Sequence, residues 1–176
     1  MGKKKVSTIV LERKEKGRVH EAYQILEETV KKWHPHLKEA KIAIAWNLAW
    51  KADPDGRLVL GKCKKVGELD RQFHDFDFVI LLNKEVWDKS LEEFGNNLKH
   101  ALIDHELCHA QISLDGDGNP KKDEQGRFVW RIKKHDLEEF REIVNRHGLW
   151  KSDITAFVKT AIEKCKTPLL NEKTGS

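Results

Sequence analysis

Apolar residues recur along this chain with two different periods, and the switches between them mark out its elements. From His20 to Trp33 ("HEAYQILEETVKKW"), residues Ala22, Ile25, Leu26, Thr29, Val30 and Trp33 fall on one side of a helix, and Pro35 ends it. "KIAIAWNLAWKADPDGRLVLGKCKKV" reads as two strands joined by a turn at Asp53-Pro54-Asp55-Gly56. "DFDFVILLN" (75–83) is a third strand, and its unbroken apolar centre implies burial on both faces, or on one face plus an edge. Ser90 with Glu93 three residues later fits a capping box and opens the next helix. The stripe of that helix runs through Leu91, Phe94, Leu98, Ala101 and Leu102, then through His105 and His109 to Ile112, which puts both histidines on its inward face.

The remainder alternates in the same way. "DGDGNPKKDEQGR" is a polar loop before a strand in "FVWRIK". Its "DGDGN" start hints at a calcium loop, but Pro120 and Gly126 stand where an EF-hand needs Gly and Glu, so a hairpin loop is expected. "HDLEEFREIVNRHG" is a helix ending near Gly148, and "SDITAFVKTAIEKCK" is a last helix with Ile154, Phe157, Val158, Ala161, Ile162 and Cys165 on one face. The pattern predicts an α+β fold: a small, mostly antiparallel sheet packed on the helix that carries His105 and His109, with further helices. Residues 18–166 are expected to form one domain, between a basic, flexible arm at 1–17 and a loose tail at 167–176.

Composition narrows the setting. Charged residues make up 35%, mean hydropathy is -0.66, and no apolar run approaches the roughly 20 residues that span a bilayer. The opening "MGKKKVS" has no apolar h-region, and Val6 breaks the myristoylation pattern, so the expected location is the cytoplasm. Three widely spaced cysteines (Cys63, Cys108, Cys165) with no CxxC pair make a disulfide framework or a cysteine zinc knuckle a poor fit. A net charge of +4 tolerates a nucleic-acid partner without demanding one. Lys62, Lys64, Lys65, Arg131, Lys133 and Lys134 are the basic candidates for such contact, and one of the six tryptophans could stack on a base.

"ALIDHELCHA" holds the chemistry. His105-Glu106-Leu107-Cys108-His109 is an HExxH pattern. Residues four apart on a helix are neighbours, so both imidazoles can reach one ion. Glu106 sits about 100° round from His105, beside the metal and not on it. There it can act as general base toward an attacking water and then protonate the leaving amine. A catalytic zinc needs a third protein ligand. "KHDLEEF" offers His135 and Glu139, which share a face if the helix is regular from its start. Asp104 is either an orienting partner or an exposed carboxylate, and Cys108 reads as a small core residue. Arg146, His147 and Tyr23 are candidates to polarise a carbonyl.

"DHELCHA" followed by "HDLEEF" resembles the SprT/Spartan-like zincins, which carry a third histidine at the start of the following helix. Asp136 in place of Gly, and one added residue before Phe140, depart from their HGxxF-type pattern. With "FDFVILLN" upstream, the combination "DHELCHA … KHDLEEFREIVNRHGLW" resembles more closely still the phage metallopeptidase family, over roughly residues 20–150. The resemblance implies a zincin-like fold, a Zn2+ cofactor, His135 ahead of Glu139 as third ligand, and a polypeptide substrate. It also implies that an edge strand beside the active-site helix, taken as Phe76–Leu82 with Phe76, Phe78 and Ile80 in contact, pairs with extended substrate. Contact with DNA comes from the Spartan likeness more than from charge. The competing expectation is a nucleic-acid-associated module whose metal is structural or vestigial.

Overall fold

The computed structural model describes residues 7–93, 98–137, 141–149 and 152–166. In chain order the elements are β1 (Thr8–Val10), β2 (Lys14–Glu15), β3 (Arg18–Val19), α1 (Glu21–Trp33), a 3-10 turn (Pro35–Leu37), β4 (Ile42–Asn47), β5 (Gly61–Lys65), α2 (Asp70–Phe73), β6 (Phe78–Asn83), α3 (Lys84–Glu93), α4 (Leu98–His109), β7 (Ala110–Ile112), β8 (Trp130–Ile132), α5 (Arg141–His147) and α6 (Ser152–Lys166). The fold is α+β. The segment expected to be a flexible arm carries two of these strands, and residues 1–6 lie outside those described.

Strands β1, β4, β6 and β5 form one sheet in that order. The sheet is mixed: β4 and β6 run parallel from the Ile42–Phe78 pairing to Asn47–Asn83, while β1 and β5 pair antiparallel to their neighbours. The two strands flanking the Asp53–Gly56 turn therefore do not pair with each other, because β6 is inserted between them. Their apolar centres explain the order. β4 and β6 are buried almost throughout, as strands paired on both edges and covered on their faces must be, whereas β5 buries only Cys63.

Helices α1 and α4 supply the cover. Ala22, Ile25 and Leu26 of α1 and Leu102, Ile103 and Leu107 of α4 join Ile44, Phe78, Ile80 and Leu82 in one core. Burying each large side chain contributes about 1.5–3 kcal/mol. Tyr23, one of the residues considered for catalysis, is structural: its hydroxyl accepts from Ile44 N at 3.0 Å and donates to Leu11 O at 3.2 Å. Asn83 ends β6 and starts α3, its Oδ1 accepting from the Glu85 and Val86 amides while its Nδ2 donates to Val59 O. So Ser90 lies inside α3 and opens no helix; the residues joining α3 to α4 fall outside those described.

The contact pattern divides the chain at Lys133/Lys134. In the second unit, Gly148 closes α5 with φ +67° and its amide on Val144 O, and α6 follows. No helix of the described residues is long and apolar enough to cross a membrane.

Candidate metal centre

Helix α4 presents a different face to the core from the one its sequence suggests. Leu102, Ile103, Glu106, Leu107 and Ala110 are buried, while His105 and Cys108 are exposed and His109 is half-buried. The helix is turned by roughly 100°, one residue's step, from the expected stripe. Ile103 and Leu107 are the anchors, and the imidazoles are left on the open side, where an ion can arrive. Cys108 is consequently a surface residue and not a core one.

The two rings meet edge to face with centroids 5.3 Å apart. His109 is fixed at both ends: its Nδ1–H donates to Lys133 O at 2.6 Å, and Lys133 N donates to His109 O at 2.8 Å. A carbonyl can only accept, so Nδ1 carries the proton and Nε2 presents the lone pair a metal would use. These bonds continue the pairing of β7 with β8, which brings Trp130–Ile132 back alongside the end of α4. His135 follows two residues after Lys133, so the chain tethers it within about 7 Å of that point. One nitrogen each from His105, His109 and His135 lie within 4.8 Å of one another. His135 sits in irregular chain ahead of α5, not on a helix that starts with it. Glu139, the alternative ligand, lies outside the described residues.

Glu106 lies against the edge strand. It is 3% exposed, and its Oε1 packs against Gly61 so closely that a Cβ there would stand 2.6 Å away. Burial pushes its carboxyl above the ordinary range, opposed by the neighbouring His109 and by the Cys63 backbone N–H that bonds to it. Oε2 is buried with no hydrogen-bond partner among the described residues. A buried acceptor in want of a donor, beside three clustered imidazoles, fits a site built to receive a metal and its water. Burial, with the Glu106 charge beside it, raises the Cys63 thiol to about 12. Cys63 therefore stays protonated and offers no competing ligand.

The expected substrate strand needs correction. β6 is hydrogen-bonded on both sides, and Phe78 and Ile80 are buried core residues. Phe76 is partly exposed but lies before β6, toward the end of that strand away from the Gly61–Leu82 pairing. The edge beside α4 is β5. Leu60 O accepts from Asn83 N and Val66 N donates to Asp77 O, so the even-numbered positions bond inward to β6. The alternation of an antiparallel pair then turns the backbone groups of Gly61, Cys63 and Lys65 outward. The sequence marks a strand here, but the lysines that fill it drew attention away from it as the edge beside α4. A glycine inside a strand pattern was the available signal, since it marks a close approach. A cleft of about 330 Å³ lies between this strand and α4, lined by Val59, Leu60, Gly61, Leu98, Ala101, Leu102 and the two motif residues His105 and Glu106.

An α+β fold that gathers three imidazoles beside a buried glutamate of the same HExxH helix has the make-up of a metal-dependent hydrolase. Residues 15–162 match the family described as Putative phage metallopeptidase, and the chain belongs to that family. No curated protein and no solved structure matches it.

Proposed function

We propose that this chain is a zinc-dependent peptidase of zincin type, with His105, His109 and His135 as ligands and Glu106 as general base. The clustering of the three imidazole nitrogens within 4.8 Å carries the reading. Three neutral nitrogen donors suit zinc, which when bound supplies Lewis acidity. Glu106 accepts the proton of the attacking water at Oε2 and passes it to the leaving amine. Its burial keeps bulk water from solvating the carboxylate, and the Cys63 N–H holds the group in place.

The substrate in this reading is a polypeptide laid as an added strand along β5, using the outward backbone groups of Gly61 and Lys65 and the Cys63 carbonyl, the Cys63 N–H being held by Glu106. The cleft beside Gly61 receives one of its apolar side chains, for which Leu98, Ala101 and Leu102 supply the wall. A phage or prophage setting accords with the family description. The test is hydrolysis of an unfolded protein such as casein. Glu106→Gln is expected to lower turnover by about 10²–10⁴-fold while zinc content stays at the wild-type level. Cleavage at the parent rate would refute the assigned base.

A second reading, cleavage stimulated by DNA, draws on the exposed Lys62, Lys64 and Lys65 of the same strand. On a sheet edge, lysines also guard against stray strand pairing. Duplex DNA added to the casein assay separates the two, since unchanged turnover retires the DNA reading.

A further inference from the structure

Helix α4 carries a second pair of metal-ligand types, one residue ahead of the first. Asp104 and Cys108 are four apart, as His105 and His109 are, so they share a face turned about 100° from the histidine pair. His34, the residue that ends α1, completes that face. Its imidazole is buried, and its Nε2 lies 2.6 Å from Asp104 Oδ1. One ligand atom each from His34, Asp104 and Cys108 lie within 4.8 Å of one another. The end of α1 walls the group on one side. The Asp104 side chain is 42% exposed and Cys108 is on the surface, so the other side is open to solvent. A hydrogen bond between two helices accounts for His34 and Asp104 alone. A third ligand type, the Cys108 thiol, stands within 4.8 Å of both.

We propose that His34, Asp104 and Cys108 form a second metal site that takes a divalent ion of the zinc class. The donors decide the class: a thiolate and an imidazole select zinc or cobalt, whereas magnesium and calcium prefer oxygen alone. Bond lengths of about 2.0–2.3 Å place tetrahedral ligand atoms roughly 3.3–3.7 Å apart. The His34–Asp104 contact therefore opens by less than about 1 Å to admit the ion. The Cys108 thiol loses its proton to solvent on binding. The ion then joins the end of α1 to α4, and water completes its coordination. This site stands on its own residues and holds whether or not the histidine centre is catalytic.

Cobalt(II) reports on it directly. Thiolate-bound cobalt gives an intense near-ultraviolet charge-transfer band, and a centre of three imidazoles gives none. The full chain titrated with cobalt(II) is expected to bind two ions and show the band. Cys108→Ser should bind one ion and lose the band. Asp104→Asn, which leaves the sulfur in place, should weaken the sulfur-linked ion at least tenfold. His135→Ala should lose the other ion and keep the band, so failure of the catalytic reading is distinguishable from failure of this one. Uptake of one ion without the band overturns the proposal, as does a band that survives Cys108→Ser.

Discussion

Gly61 shows how little separates a positioned base from a misplaced one. A methyl group there would meet Glu106 Oε1 at 2.6 Å, Cδ at 3.0 Å and Cγ at 3.1 Å. The carboxylate cannot step aside without leaving the Cys63 N–H that steadies it. Under the proposed mechanism, Gly61→Ala should lower kcat by on the order of 10²-fold, the penalty of a displacement near 1 Å. Zinc content should not change, since the three atoms nearest the added methyl all belong to Glu106 and not to a ligand. Steady-state kinetics with metal analysis checks both, and a variant with wild-type kcat would mean that Glu106 acts from some other position. A glycine inside a strand signals some close approach, but nothing along the chain singles out Glu106 as the group that makes it.

At the scale of elements, one turn is used three times. Asp53, Asp115 and Asp123 each place Oδ1 on the amides two and four residues ahead, with a positive-φ glycine at the third position: Gly56, Gly118 and Gly126. The bonds from Asn119 and its neighbours hold the Asp115 carboxyl below the usual range. A lowered pKa means a contribution present above the unfolded value, near pH 3.9, and lost as pH falls through the folded value. The Asp117 and Asn119 amide resonances should therefore titrate with a midpoint below about 3.9. A midpoint at or above that value would show that the carboxylate does not hold the turn. This turn and most helices could be read in advance, because local chemistry and periodicity specify them. Two features could not. The insertion of β6 between β4 and β5 depends on long-range pairing. The orientation of α4 inverts ordinary hydropathy, burying a glutamate and exposing histidines.

For the molecule as a whole, metal and stability are linked in the proposed reading. An ion that binds only the folded chain, at a hundred times its dissociation constant, adds about 2.7 kcal/mol. For 176 residues that raises the unfolding midpoint by roughly 5–10 °C. Scanning calorimetry with added zinc should record the rise, EDTA should reverse it, and His109→Ala should diminish it. A midpoint indifferent to zinc in the wild-type chain would count against the ligand assignment.

The hairpin that leaves through β7 and returns through β8 has one more consequence. His109 and Lys133 grip each other across its base, so its outer part, around Gly116, contributes nothing to ligand geometry. Lineages can lengthen or shorten it freely, and the interval between HExxH and the third histidine is then a poor fingerprint for finding distant kin. The same freedom makes the turn a natural splice point for a fluorescent reporter or an affinity handle.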